Sequence, residues 1–388
     1  MRIKQLYQKA KSAWASGTLN ERAKRFLKTQ VVRFFEVIGG YIALQKADRN
    51  LNLKAGFSAH STNHRSDPAH LRRIINAYKA SKRAQPLEGP FQIRGIWEEW
   101  IAVHYGTLIS ALEREDIPLL SQLLENLYRE KFTSGTGGHD NYLQYHSLFG
   151  KAYIKYVWSR YRDKLVALDF DLRKLSFPNV GNPAGVFYND QVISIETLRH
   201  AYRAVEISEL LRDLPDAIVV EIGGGLGGEA YQAVQRGISK YTVFDIPEVA
   251  VISSYFLLSA FPNKRVRLFG EESDYDVQVL PHFAIAQLPD SSVDLFYNSC
   301  SFSEMDGNSS REYLAIIERA CRKYFMHDNH DSTFKFKNAD GTISQNVIGS
   351  KLVPNGALFK RIYKKPRTHG LPEDRSFVHY EYLYERIA

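Results

Sequence analysis

A glycine-rich turn between two predicted elements constrains this chain more than any other feature. Residues 223–228 read GGGLGG, and they follow the apolar, β-branched segment AIVVEI of residues 217–222. Glycine adopts positive φ without strain and lets the backbone approach another group closely. A helix-like segment follows, and the first N–H groups of a helix are free to bind a ligand. The sequence therefore predicts a strand, a ligand-binding loop and a helix.

Two acidic residues flank this loop in the predicted structure. Glu221 precedes the glycines, and Asp245 ends the next predicted strand, 24 residues further on. A carboxylate at the end of that second strand can accept hydrogen bonds from both hydroxyls of a ribose. The pair therefore indicates a nucleotide-containing cofactor.

Two kinds of cofactor fit the spacing of the glycines. Gly223, Gly225 and Gly228 satisfy the GxGxxG pattern of dinucleotide binding. Glu221 followed by Gly223, Gly225 and Gly227 satisfies the ExGxGxG pattern of S-adenosylmethionine enzymes. A carboxylate repels an anionic pyrophosphate, whereas it attracts the ammonium and sulfonium of S-adenosylmethionine. The sequence favours S-adenosylmethionine, with a nicotinamide-dependent oxidoreductase as the alternative.

The order of predicted elements divides the chain into two parts. Strands are predicted at residues 217–222, 241–246, 265–270, 292–299 and 324–330, with helical segments between them. This alternation predicts an α/β fold with a parallel sheet covered on both faces. Residues 357–365 and 376–387 alternate with a period of two and predict a closing antiparallel pair. We expect a mainly helical region over residues 1–194, serving as lid and acceptor platform, and a Rossmann-like domain over residues 195–388.

Composition excludes several classes of protein. The chain has 388 residues, 44% hydrophobic and 24% charged, which is typical of a folded domain and not of a disordered chain. Two cysteines exclude a disulfide scaffold, and no apolar stretch of about 18 residues is present, so a cytoplasmic protein is expected. The net charge of +8 is mild for this length. The basic residues 1–50 predict an amphipathic helix that either caps the protein or lies on an anionic membrane.

Six segments together resemble the class I S-adenosylmethionine-dependent methyltransferases, and within them the sugar O-methyltransferases. They are VGNPAG (180–185), LRHAYRAVEI (198–207), VVEIGGGLGG (219–228), FDIPEV (244–249), VLPHF (279–283) and DLFYNSCSFSEM (294–305). The resemblance implies a mostly parallel sheet of seven strands ending in an antiparallel hairpin, with S-adenosylmethionine as cofactor. It also implies a sugar, nucleotide-sugar or glycan acceptor, as in polysaccharide biosynthesis.

The resemblance also implies positions for the cofactor. Its amino-acid end lies along Glu221, Gly223, Gly225 and Gly227, its ribose on Asp245, its adenine beside Ile246, His282 and Phe283, and its methionine part along the backbone of Asn298 and Ser299. The family pattern is Asn-Trp where this chain has His-Phe, which leaves the adenine contact less well defined. Arg199, His200 and Tyr202, on the helix that leads into the domain, are expected to bind the substrate or the cofactor carboxylate.

A hydroxyl acceptor needs help to lose its proton. A sugar hydroxyl is a poor nucleophile at neutral pH, so a general base is expected. The candidates, in order of preference, are His330, His327 and Glu304, all near predicted strand ends. In the alternative mechanism, Asp328, His330 and Asp331 hold a divalent cation such as Mg²⁺ that acidifies the hydroxyl.

Other functions remain open on the residues alone. A nucleic-acid methyltransferase suits the positive charge, but residues 298–301 read Asn-Ser-Cys-Ser where amino-methylating enzymes have Asn/Asp-Pro-Pro-Tyr/Phe. No stable nucleic-acid partner is therefore expected. A non-catalytic protein that binds partners through the helical half is a further alternative, and an oligomer is compatible with the sequence. The glycine-rich residues 134–141 follow a helix and lack a following Lys-Ser/Thr, so they predict a flexible loop and not a phosphate cradle.

Overall fold

The computed structural model describes residues 51–58, 65–146, 150–333, 335–338, 341–367 and 379–388. The basic residues 1–50, with their predicted amphipathic helix, lie outside these ranges, and their contact with a membrane stays a prediction. Among the described residues, no helix combines the length and apolar character needed to cross a bilayer.

The described part of the N-terminal region is mainly helical, as expected. Its α-helices are α1 Leu53–Ser58, α2 Pro68–Ala84, α3 Ile96–His104, α4 Gly106–Glu113, α5 Ile117–Leu124, α6 His139–His146 and α7 Gly150–Ala167. Short 3-10 helices occupy Leu127–Arg129, Lys131–Thr133 and Leu172–Lys174, and β1 Val186–Tyr188 pairs antiparallel with β2 Gln191–Ile193. Helix α2 begins at a capping signal: the Asp67 carboxylate accepts a hydrogen bond from the Ala69 N–H at 2.8 Å.

The C-terminal region alternates strands and helices around one large sheet. Its strands are β3 Ile218–Ile222, β4 Lys240–Asp245, β5 Val266–Leu268, β6 Val277–Pro281, β7 Val293–Ser299, β8 Cys321–His330, β11 Phe359–Pro366 and β12 His379–Arg386. Its α-helices are α8 Ile195–Leu210, α9 Gly228–Gln235, α10 Pro247–Ala260 and α11 Gly307–Ala320, and 3-10 helices occupy His282–Gln287, Ser301–Glu304 and Gly349–Lys351. A small separate hairpin joins β9 Lys335–Lys337 to β10 Ile343–Gln345.

The sheet has eight described strands in the order β11-β12-β8-β7-β3-β4-β6-β5. Strands β3 to β8 are mutually parallel, and β12 runs antiparallel between β8 and β11. This confirms the α/β class and the reversed strand at the C-terminus. One strand is additional to the expected seven: the segment predicted as the third strand forms the short edge strand β5, and β6 stands next to β4.

Both faces of the sheet are covered. The neighbouring residues Val219 and Val220 of β3 point to opposite faces, and each is completely buried. Val219 belongs to a hydrophobic cluster that includes residues of α2, α7, α8, α9 and α10, whereas Val220 belongs to a second cluster with residues of α11. The N-terminal helices therefore share one core with the sheet, and the boundary at residue 194 stays a prediction.

Candidate active site

A cavity lies at the carboxyl ends of β3, β4 and β7. It encloses about 870 Å³, counting the space that opens to solvent. Strand β3 is the point where the sheet order reverses, because the chain moves to β4, β6 and β5 on one side and later to β7 and β8 on the other. In open α/β sheets, ligands bind in the crevice at this reversal.

The glycine loop forms one wall of the cavity. Gly223 (φ +76°) and Gly225 (φ +54°) line it. A Cβ at Gly223 would lie 2.4 Å from Ser301 Oγ, so only glycine fits there. Gly227 (φ +82°) lies behind the wall, where a Cβ would contact the Leu257 side chain at 3.2 Å. Two of the three predicted loop glycines therefore reach the cavity, and the third lets α9 begin.

Asp245 lies beside this loop at the end of β4. Its carboxylate accepts hydrogen bonds from the N–H groups of Gly225 and Ile246, each at 2.8 Å. Burial raises the pKa of Asp245 to about 7, against the opposing effect of these two N–H donors, and the nearby carboxyl of Glu304 raises it further. Asp245 and Ile246 both line the cavity. This position is compatible with the contacts predicted for them, Asp245 with a ribose and Ile246 with an adenine.

Glu221 does not line the cavity. Because side chains alternate along β3, its carboxylate points to the face covered by α8 and α9 and accepts a hydrogen bond from Tyr241 Oη at 3.1 Å. Burial raises the pKa of Glu221 to about 8. The structure therefore does not support the expected direct contact between Glu221 and a cofactor in this cavity.

The two residues expected beside the adenine take different positions. His282 lines the cavity, and its Nε2–H donates to the Phe91 carbonyl at 2.7 Å. Burial lowers the pKa of His282 to about 4, so the ring is neutral at pH 7. Phe283 is turned away by the 3-10 helix and packs edge-on against Phe269, with ring centroids 6.0 Å apart. The prediction that Phe283 flanks the adenine is wrong for this structure.

At the end of β7, Asn298 holds strands together while Ser299 lines the cavity. The Asn298 amide donates to the Ile222 carbonyl at 2.8 Å, and its oxygen accepts from Asn329 Nδ2 at 2.8 Å. Asn298 thus links β3, β7 and β8 and is completely buried. The Ser299 hydroxyl donates to Asp328 Oδ1 at 3.1 Å and lines the cavity.

The three residues of α8 expected to bind substrate do not line the cavity, and each is held by hydrogen bonds to other side chains. Arg199 donates to Glu196 Oε2 at 2.6 Å and to the Ser299 hydroxyl at 3.2 Å. His200 Nε2 accepts from Arg199 at 2.9 Å, and burial lowers the pKa of His200 to about 3. Tyr202 Oη donates to a carboxylate of the same helix. Only Arg199 touches the cavity wall, through Ser299.

Neither histidine of the predicted base set reaches the cavity. Both His327 and His330 lie within strand β8, which ends at His330, the last residue of the predicted strand 324–330. The His327 ring is completely buried and stacks on Tyr382, with centroids 4.6 Å apart, and burial lowers its pKa to about 3. The His330 ring stacks on the His379 ring, with ring centroids 5.4 Å apart. Both are corrected from candidate bases to packed strand residues.

Glu304 is the member of that set which lines the cavity. It lies in the 3-10 helix that follows β7, and its Oε2 accepts a hydrogen bond from Trp97 Nε1–H at 2.7 Å. Burial raises the pKa of Glu304 to about 7, while the Trp97 hydrogen bond opposes this shift. A carboxylate with this pKa can exchange protons near neutral pH.

The structure does not fit the expected metal site. Asp328 pairs with Arg367 at 3.2 Å, and that guanidinium holds the pKa of Asp328 well below its usual range despite burial. Asp331 instead accepts a hydrogen bond from the Ser350 N–H at 2.7 Å.

A different group of residues, Cys300, His379 and Asp328, lies close enough together to share an ion. However, Arg367 Nη1 hydrogen bonds with Cys300 Sγ at 3.2 Å and with His379 Nδ1 at 2.8 Å. The guanidinium of Arg367 therefore occupies the position that a cation would take among these three residues.

The N-terminal region supplies cavity residues that sequence reasoning did not find. Gln92, Arg94 and Trp97 line the cavity, as do Gly135 and Thr136 of the loop predicted to be flexible. The Thr136 carbonyl lies 3.7 Å from where a Cβ on Gly225 would stand. These residues are far in sequence from the glycine loop that they face, and no local sequence pattern identifies them as part of the site.

Cys300 is a further cavity residue without a clear sequence signal. It adopts φ +67°, which is strained for a residue other than glycine. Its N–H donates to the Asp328 carbonyl at 2.8 Å, so the chain turns sharply as it leaves β7.

Comparisons with known proteins give fold similarities over about half of the chain. No family model and no curated protein matches this sequence. The 1,6-didemethyltoxoflavin-N1-methyltransferase of Burkholderia thailandensis, solved with S-adenosylhomocysteine, is 17% identical over 48% of this chain and 77% of its own, with a TM-score of 0.31. The magnesium protoporphyrin IX methyltransferase of Synechocystis PCC 6803 is 12% identical over 52% of this chain and 90% of its own, with a TM-score of 0.35. An S-adenosylmethionine-dependent methyltransferase from Mesorhizobium loti is 13% identical over 48% of this chain and 98% of its own, with a TM-score of 0.33. These values are low, so the function proposed below rests on the site itself.

Proposed function

We propose that this protein is an S-adenosylmethionine-dependent methyltransferase that acts on a hydroxyl group. One observation carries the proposal: a positive-φ glycine loop, the carboxylate of Asp245 and the apolar side chain of Ile246 line one cavity at the reversal of the sheet order. The antiparallel β12 favours this cofactor over a nicotinamide dinucleotide, whose doubly wound fold has a parallel sheet. Since Glu221 does not line the cavity, its charge does not distinguish S-adenosylmethionine from a nicotinamide dinucleotide.

The residues present fit this cofactor. Each Asp245 oxygen accepts one backbone N–H and keeps a lone pair for a ribose hydroxyl. Ile246 and Val249 offer apolar surface for a purine, beside the neutral ring of His282. S-adenosylmethionine, when bound, supplies an electrophilic methyl group.

The chain's own residues would then prepare the acceptor. The ionised Glu304 would take the proton from the acceptor hydroxyl as the oxygen of that hydroxyl becomes the methyl acceptor. Trp97 and Thr136, from the N-terminal region, line the same cavity and would contact the acceptor. Holding the acceptor oxygen in line with the methyl group supplies much of the rate on its own.

The acceptor is proposed to be a sugar, a nucleotide-sugar or a glycan, following the resemblance of six sequence segments to the sugar O-methyltransferases. The test is transfer of a labelled methyl group from S-adenosylmethionine to a panel of free sugars, nucleotide sugars, polysaccharides and RNA. Label in a carbohydrate fraction is expected. Label in RNA alone would favour the nucleic-acid alternative and overturn the sugar assignment.

Alanine at Gly223 is expected to abolish measurable S-adenosylhomocysteine binding. The added Cβ would lie 2.4 Å from Ser301 Oγ and the residue would keep φ +76°, so the loop must shift, with a stability loss of about 1–3 kcal/mol. Calorimetry and thermal unfolding measure the two effects.

Gly237→Ala is the matched control for that substitution. Gly237 has φ +98° and no atom within 4 Å of an added Cβ, so it isolates backbone strain from the collision. We expect Gly237→Ala to lower stability and to leave cofactor affinity unchanged. Equal affinity in Gly223→Ala and wild type would show that the loop does not contact the cofactor.

A further inference from the structure

We propose that Trp97 is a positioning residue for Glu304, so that the N-terminal region supplies part of the catalytic machinery. The inference rests on the proposed function and extends it to a residue 207 positions away from Glu304 in the sequence. The two side chains line the same cavity and meet through one hydrogen bond.

The contact fixes one carboxylate oxygen and leaves the other for the acceptor. Trp97 Nε1–H donates to Glu304 Oε2 at 2.7 Å, which is short for an N–H···O bond and typical of a bond to a charged acceptor. An indole N–H only donates, so it stabilises the ionised carboxylate. No described residue donates a hydrogen bond to Oε1 of Glu304, and that oxygen can take the acceptor proton.

Trp97 is itself held from two sides. At the start of α3, Gly95 has φ +68°, and a Cβ there would lie 2.4 Å from the Phe336 ring. The Gly95 N–H donates to Asn338 Oδ1 at 3.2 Å. On the other side, Trp100 Nε1–H of the same helix donates to the Ser134 carbonyl at 2.9 Å. This bond connects α3 to the loop of residues 134–136, which faces the glycine loop of residues 223–228. The Trp97 ring therefore has a fixed place in the cavity wall.

The hydrogen bond also sets the proton affinity of the carboxyl group. Burial favours the protonated form of Glu304, and the Trp97 N–H favours the ionised form. The Glu304 carboxylate in turn raises the pKa of two groups that face it, the carboxyl of Asp245 and the thiol of Cys300. Removing the indole N–H leaves the effect of burial unopposed, so protonation of Glu304 becomes easier.

The test is a direct titration of Glu304 in Trp97→Phe, which keeps an aromatic ring and removes the N–H. The full-length protein is labelled with ¹³C at the glutamate carboxyl carbons, and the Glu304 signal is assigned by its absence from Glu304→Gln. In Trp97→Phe we expect the midpoint to rise by about one pH unit or more. Trp100→Phe is the matched control, because it removes an indole N–H from the same helix that binds a carbonyl instead, and its midpoint is expected to stay in place.

Two results would overturn the inference: an unchanged midpoint in Trp97→Phe, or an equal shift in Trp100→Phe. If Trp97→Phe does not fold, Trp97→Gln retains an uncharged N–H donor and is expected to keep the wild-type midpoint within about half a pH unit; a full shift there would also overturn the inference. Because the titration needs no acceptor, a wild type that fails to bind S-adenosylhomocysteine would reject the proposed function and leave the Trp97–Glu304 result readable.

Discussion

Alanine in place of Asp245 is expected to weaken S-adenosylhomocysteine binding by about 100-fold or more. The substitution removes the acceptor for two ribose hydroxyls, and hydrogen bonds to a charged group contribute about 1.5–3 kcal/mol each. Two such bonds correspond to a factor of at least about 100 in the dissociation constant. Isothermal titration calorimetry at pH 8, where Asp245 with a pKa of about 7 is ionised, measures the change.

Two further variants separate ribose binding from folding. Asp245→Asn keeps one carbonyl oxygen as acceptor, so its affinity is expected to fall between wild type and Asp245→Ala. Asp274→Ala removes an exposed aspartate that pairs with Lys240 on the protein surface, and it is expected to bind normally. A folded Asp245→Ala protein with wild-type affinity would show that the ribose lies elsewhere.

Glutamine in place of Glu304 is expected to lower kcat by a factor of about 10²–10⁴, the usual contribution of a general base. Glutamine preserves the shape of the side chain and cannot take a proton. The Kd for S-adenosylhomocysteine is expected to stay within about twofold, because the ribose and adenine contacts are intact. His330→Gln is the matched control, since the His330 ring lies within β8 outside the cavity lining, and its kcat is expected to be near wild type.

The pH profile gives the same residue a second test. Burial raises the pKa of Glu304 to about 7, so the carboxyl is protonated and inactive as a base below that pH. At saturating cofactor and acceptor, kcat should rise with pH up to about 7 and then level off. Saturation matters because Asp245 also has a raised pKa of about 7 and affects binding. If kcat of Glu304→Gln rises with pH up to about 7 as it does in the wild type, the base is another residue.

The parts of this fold that follow from local patterns could be predicted from the sequence. The glycine loop, Asp245 at the end of β4 and the closing strands β11 and β12 each depend on residue types at short spacing. The edge strand β5 was taken for the third strand, because a three-residue segment gives the same apolar signal as a central strand.

The site residues that were mispredicted depend on side-chain direction and distant contacts. The predicted strand at residues 324–330 is confirmed by β8, but its sequence does not show that its polar groups find buried partners, such as Arg367 for Asp328. The resemblance and the charge of Glu221 place it at the cofactor, but neither carries information on which face of β3 its side chain occupies. The Trp97–Glu304 contact joins the two halves of the chain, and a single sequence contains no signal for it.

The most direct test of the proposed function is calorimetric titration of the wild-type protein with S-adenosylhomocysteine, with NAD⁺ as the comparison. The cavity at β3, β4 and β7 is expected to bind S-adenosylhomocysteine with micromolar affinity and NAD⁺ not at all. Binding of NAD⁺ alone would make Gly223, Gly225 and Gly228 a dinucleotide loop and contradict the methyltransferase assignment.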